Sequence, residues 1–254
     1  MLKIILERFR QKHRTSKFPA QSVTLPTPYR GRPFINHDFC YKGCHKCQEV
    51  CPTQALIKNE DGKLSIDLSR CLFCLECKNA CLKNAIQFSQ DYQMSTRTKK
   101  DLVLSNNELI LAQKLEKEIL SLFGRSLKLR QVSAGGCNAC EADCNVLGTP
   151  AYDLGRFGIQ FVASPRHADG LLITGPVSDN MKEALLKTYE ALPTPRIVIA
   201  VGACALSGGI FRDHEEVHNG VEGILPVDLF IPGCPPHPMT ILDGLLRLIG
   251  KIKT

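Results

Sequence analysis

Eight cysteines fall in two dense runs within the first third of the chain, and five more are spread through its second half. Cys40, Cys44, Cys47 and Cys51 are followed by Pro52, and a similar run, Cys71, Cys74, Cys77 and Cys81, begins twenty residues after Cys51. Soft thiolates at such intervals gather metal, and the spacing is close to the C-x2-C-x2-C-x3-C run that holds a pair of 4Fe–4S clusters. Each run is followed by a short apolar stretch, Ala55 to Ile57 and then Ala85 to Phe88. Neither half can bury a core alone; stacked around two clusters, the pair can. Such a chain moves electrons.

The rest of the composition narrows the setting. At 254 residues and 44% hydrophobic content the chain has room for two ordinary globular domains. No stretch reaches the ~18 apolar residues of a spanning helix. No apolar signal core follows the basic start, so a disulfide scaffold is disfavoured and thirteen cysteines point to metal. The formal charge of +7 is concentrated at one end: the first 46 residues hold ten Lys or Arg against Glu7 and Asp38. That segment suits an anionic surface, such as a membrane face or an acidic partner. No nucleic-acid-binding motif accompanies the charge, which disfavours nucleic acid as a partner.

Residues 1–36 divide into a basic amphipathic helix over 2–12, with Leu2, Ile5, Leu6 and Phe9 on one face, expected either to pack on its own domain or to dock on a membrane or membrane subunit, and a Pro-rich extended arm. Residues 37–90 are expected to form the two-cluster domain. Residues 91–125 are a polar linker and a connecting helix: Ser105 and Glu108 have capping-box spacing, Leu111, Leu115, Ile119 and Leu122 recur every three or four residues, and Gly124 is a stop. From 126 to 254 short apolar strands near 127–133, 158–163, 170–175, 196–202 and 227–233 alternate with helices near 178–191 and 238–251. This predicts an α/β fold with a parallel sheet covered on both faces. In such sheets the reactive site lies at the carboxyl ends of the strands. Cys137, Cys204 and Cys234 each fall just past a predicted strand, with Cys140 one turn further on.

In two-cluster ferredoxins the fourth cysteine of each run ligates the other cluster. On that pattern one cluster takes Cys40, Cys44, Cys47 and Cys81, and the other takes Cys71, Cys74, Cys77 and Cys51. The first run departs with three residues between Cys40 and Cys44, and Leu82 stands where a proline usually follows the last cysteine. All-cysteine zinc sites are the alternative, though these usually come as separated C-x2-C pairs. In the second half, Gly135-Gly136-Cys137-Asn138-Ala139-Cys140, Gly202-Ala203-Cys204 and Pro232-Gly233-Cys234-Pro235-Pro236 place four thiols beside glycines at one sheet edge. Four together suggest a ligand tetrad, where a lone one would suggest a buried structural cysteine.

These last motifs, with Gly208-Gly209, Ser164-Pro165-Arg166-His167-Ala168-Asp169 and Ile173-Thr174-Gly175-Pro176, resemble the small subunit of NiFe hydrogenases. The likeness is to the short form of formate hydrogenlyase and other membrane-bound, energy-converting hydrogenases. The related complex I subunit, also flavodoxin-like, carries two adjacent cysteines at the first site; here Cys137 and Cys140 are separated. Lys17-Phe18-Pro19 and Tyr29-Arg30-Gly31-Arg32-Pro33 resemble the two-cluster ferredoxin subunit of the same complexes, so the chain looks like a fusion of two usually separate subunits.

The resemblance implies a third 4Fe–4S cluster on Cys137, Cys140, Cys204 and Cys234, the proximal one, and no catalytic centre in this chain. Nickel and iron would sit on a NiFe hydrogenase-type large subunit. Further partners would be membrane subunits and an electron-donor subunit or ferredoxin. The chain would be peripheral on the cytoplasmic side of the inner membrane. A complex-I-like module that reduces a quinone without nickel is the alternative. Glu141 is a candidate for a proton path or for a plain helix-start carboxylate. Cys144 is surplus to the tetrad and expected to be structural. His167 is a candidate for donating to a cluster sulfur, for lining the large-subunit interface, or for a structural role.

Overall fold

A computed structural model describes residues 2–12, 14–41, 43–58, 62–105, 107–123 and 126–252. Helix α1, Leu2–Gln11, stands at the start with no buried residue. The arm behind it is packed rather than free. Ser16 N–H donates to Ala151 O, Arg156 donates to Ser16 O and Phe18 O, and Phe18 is buried edge-on against Tyr92.

The cysteine-rich region follows the repeat. Strands β1 (Pro33–Ile35), β2 (Leu56–Lys58), β3 (Leu64–Asp67) and β4 (Ile86–Phe88) alternate with one-turn helices α2 (Lys46–Glu49) and α3 (Glu76–Asn79). Strands β1 and β4 pair antiparallel, and β2 and β3 pair with β5, Val103–Leu104, in a second antiparallel sheet. The second domain is a parallel five-stranded sheet of β6 (Leu127–Ser133), β7 (Ile159–Phe161), β8 (Gly170–Thr174), β9 (Ile197–Val201) and β10 (Leu229–Ile231). Its spatial order is β10-β9-β8-β6-β7, the doubly wound arrangement whose switch point lies between β6 and β8.

Strands β8, β9 and β10 are buried along their whole length, as a sheet covered on both faces requires. One face carries α8, Pro238–Leu248, which buries every residue, together with Phe18, Leu25 and Phe123. The other face shares one continuous core with the cysteine-rich domain: Leu68, Leu102 and Leu104 join Ala134, Leu171, Ile173, Ala200 and Phe230. Helix α6, Asp179–Glu190, contributes Leu185 to that core. The small domain therefore completes its core on the sheet. The buried Ser207 hydroxyl, donating to Ser69 O at 2.8 Å, adds a polar tie.

Two expectations need correction. The connecting helix covers only Lys117–Phe123, here α4, instead of the segment from Ser105 onward. Between 108 and 116 the backbone is not helical; Ala112 N–H donates to Ser95 O and Leu115 N–H to Leu248 O, so tertiary bonds replace the helical ladder. Gly124, the expected stop, lies outside the described residues. The polar stretch expected to be a linker is also built in. Ser95 and Thr96 are fully buried, and Thr96 exchanges both backbone bonds with Phe230, closing the exposed edge of β10.

Within α8, Arg247 Nε donates to Asp243 Oδ2 at 2.7 Å, with both side chains almost wholly out of solvent. Asp243→Ala strands a buried guanidinium and is expected to cost about 3–5 kcal/mol. A lower thermal midpoint by circular dichroism, with a smaller loss for Asp243→Asn, checks it.

Candidate iron–sulfur sites

Cys40, Cys44, Cys47 and Cys81 line one cavity of about 180 Å³. Cys51, Cys71, Cys74 and Cys77 line a second, more enclosed one. Each cavity thus takes three thiols from one run and one from the other. The local geometry repeats with the sequence. Cys47 sits in α2 and Cys77 in α3, and a residue with positive φ, Gln54 or Asn84, turns the chain behind each run. The next amide then points back at sulfur: Ala55 N–H donates to Cys51 Sγ and Ala85 N–H to Cys81 Sγ, both at 3.2 Å. Phe73 N–H donates to Cys71 Sγ at 3.4 Å. Such bonds favour the ionised sulfur that ligates metal.

Among the described residues no carboxylate or imidazole lines either cavity; apart from Lys46 and Lys83 the walls are largely apolar, with Leu56, Ile66 and Phe88 at one cavity and Leu64 and Ile86 at the other. Burial pushes the Cys47 thiol up to about 11, helped by Cys40, Cys44 and Cys81. Cys77 is pushed up to about 12 by burial and by Cys51 and Cys74, and Cys71 is raised by burial. Thiols so placed oppose one another's ionisation, so a positively charged group must be present for them to act as thiolates. All-sulfur donors in apolar surroundings with N–H···S bonds fit a 4Fe–4S cluster.

The third set forms at the carboxyl ends of the sheet. Cys137 follows β6; Cys140 opens α5, Ala139–Val146; Cys204 lies in α7, Ala203–Ser207, directly after β9; Cys234 follows β10. Cys140 is buried, Cys204 half-buried, and Cys137 and Cys234 exposed, so this site opens to the surface. Burial, Cys234 and Cys137 push Cys204 up to about 11, and Cys234 is raised by burial, by Cys137 and by Cys74. Two glycines make room for sulfur. A Cβ on Gly202 would lie 2.5 Å from Cys140 Sγ, and one on Gly209 would lie 2.7 Å from Cys204 Sγ.

The three sites are consecutive neighbours. Cys47 of the first set raises Cys77 of the second, and Cys74 of the second raises Cys234 of the third. A cleft of about 250 Å³ between the second and third is lined by Phe73, Cys234, Arg30 and His237. Arg30 donates to Phe73 O inside the ligand loop, a contact its lone position in the arm did not announce.

Glu141 is buried in the first turn of α5, where Thr174 Oγ1 at the end of β8 donates to its Oε1 at 2.5 Å. Cys144 points into the apolar core with Leu147 and Leu172, pushed up to about 12 by burial, as a structural cysteine would be. His167 lies elsewhere. Its exposed turn, Pro165–His167, precedes β8, whose opposite end bears the site about 17 Å away, so it reaches no sulfur. Among the described residues, no group of three or more Cys, His, Asp or Glu is arranged to hold a single metal ion.

The family model for NADH ubiquinone oxidoreductase, 20 Kd subunit, matches residues 137–248, and the model for a 4Fe-4S dicluster domain matches residues 32–82. A probable membrane-bound hydrogenase subunit, mbhJ, of Pyrococcus furiosus is 43% identical over 143 residues, 55% of this chain and 86% of that protein. Formate hydrogenlyase subunit 7 of Escherichia coli is 42% identical over 139 residues, 55% of this chain and 54% of its own length. A subunit of the NADH-quinone oxidoreductase of Citrifermentans bemidjiense is 47% identical over 117 residues, 46% of this chain and 68% of its own.

Gly202→Ala, whose added Cβ would lie 2.5 Å from Cys140 Sγ, is expected to disturb the third site alone and to lower the iron bound per chain by that site's share. Gly155→Ala, where an added Cβ meets nothing closer than 3.8 Å, should leave iron unchanged. Iron analysis of both proteins, purified anaerobically, checks this.

Proposed function

Since the chain belongs to the NADH ubiquinone oxidoreductase 20 Kd subunit family, joined here to a 4Fe–4S dicluster domain, and is an electron-transfer subunit of a hydrogenase- or complex-I-like oxidoreductase, we propose that it serves a membrane-associated NiFe hydrogenase. The first site would use Cys40, Cys44, Cys47 and Cys81, the second Cys51, Cys71, Cys74 and Cys77, and the third Cys137, Cys140, Cys204 and Cys234. A 4Fe–4S cluster in each would supply one-electron transfer between a redox partner and the nickel–iron centre of a separate large subunit. The four-part division would be an N-terminal helix and arm over 1–36, a ferredoxin domain over 37–90, a connector over 91–125 and the sheet domain over 126–254.

The observation that supports this reading is the succession of three sulfur-lined sites, the third of them open to the surface. The walls of the first two sites are largely apolar, and amide donors point at their sulfurs. At the third, Cys137 and Cys234 are exposed, so a large subunit would have to cover them. At the other end, Phe39, Tyr41 and Leu82 stand exposed around the first cavity with Lys46 and Lys83 among its lining, which suits a donor subunit or an acidic ferredoxin. Glu141, held by Thr174 and next in sequence to Cys140, would be a carboxylate available to a proton route along the large-subunit face. No described helix is long and apolar enough to cross a membrane. Membrane subunits would hold the complex to the cytoplasmic side of the inner membrane.

A complex-I-like function without nickel is the second reading, supported by the similarity to the Citrifermentans protein. The separation of Cys137 from Cys140 favours the hydrogenase. The chain purified anaerobically with its partners is expected to contain nickel and to reduce viologen with hydrogen. Iron and a large partner without nickel or hydrogen turnover would select the second reading, and zinc in place of iron would exclude both.

A further inference from the structure

Helix α1 buries none of its residues, although Leu2, Ile5, Leu6 and Phe9 are among the largest apolar side chains of the chain. All four are more than half exposed, from 53% at Ile5 to 77% at Phe9. At 3.6 residues per turn they occupy one arc of about 100°. Lys3 and Arg10, the latter paired with Glu7, border that arc on one side and Arg8 on the other; Ile4 alone breaks the pattern on the far face.

This arrangement decides what covers the face. If two copies paired through their α1 faces, each cationic border would meet another of the same sign, which is unfavourable. A plane of anionic headgroups instead pairs both borders at once, the long side chains reaching outward while their stems cover the apolar strip. The helix is also placed to serve as a support. Lys12 is four residues from Ser16, which is fastened to the sheet domain through Ala151 and Arg156. A lipid surface under α1 would thus lie within about 14 Å of that edge.

We propose that α1 is an interfacial helix through which this chain itself contacts anionic lipid, in addition to any attachment through membrane subunits. The inference extends the reading of a membrane-associated subunit but depends neither on nickel nor on the number of clusters. It is tested with the full chain, purified anaerobically and floated with phosphatidylcholine vesicles with and without phosphatidylglycerol. Binding is expected only with the anionic lipid, to weaken as salt rises, and to fall about tenfold or more in Leu6→Asp/Phe9→Asp. These side chains touch no core, so unchanged visible absorption and hydrodynamic size should accompany the loss. Failure of the unaltered chain to float with anionic vesicles would overturn the proposal and assign the helix to a protein partner. Binding that survives the double substitution, or a dimer that the substitution dissolves, would overturn it equally. Nickel and hydrogen assays on the same preparation report separately on the function.

Discussion

A thiolate in an apolar pocket is tolerable only beside a positive charge, and this chain gathers its thiols in fours. Burial and mutual repulsion raise Cys47, Cys71, Cys77 and Cys204 well above an ordinary thiol. The cost is removed when metal neutralises the sulfurs, which makes metal binding part of the folding free energy. The small domain depends on this most, because its strands are three or four residues long and its two helices single turns. What metal does not supply comes from the sheet, onto which Leu68, Leu102 and Leu104 pack.

That shared core also has a functional result. Packing the small domain on one sheet face brings the second cysteine set beside the third, at the carboxyl ends where a doubly wound sheet opens. The second site contains the buried Cys71, whereas the third shows Cys137 and Cys234 to the surface.

Much of this was legible in the sequence, for identifiable reasons. Cysteine spacing is local and chemically unambiguous, so both runs and the four scattered thiols could be named before any coordinates. Buried parallel strands read as apolar runs, which places β8, β9 and β10, while β6 and β7 show as alternation, with Leu127, Leu129 and Ile159 buried between polar residues. The 105–124 segment misled because a three-four apolar spacing describes a helix face only when one neighbour covers it. Here Ala112 and Leu115 are buried by separate contacts with Ser95 and α8, while Leu122 is exposed. Ser95 and Thr96 looked like linker because their buried hydrogen bonds depend on α8 and β10, more than a hundred residues away. His167 was a candidate by motif alone, and only strand direction showed it to be at the wrong end of β8. The Glu141–Thr174 bond and the Cys74–Cys234 proximity left no local mark either; they are products of topology.

The most direct measurement of the central claim is an EPR-monitored redox titration of the anaerobically purified chain. Three neighbouring sites filled with 4Fe–4S clusters should integrate, when fully reduced, to about three electron spins per chain, with the split and broadened lines of magnetically coupled centres. Uncoupled signals, or an integral near one or two spins with iron fully loaded, would contradict a continuous three-site row.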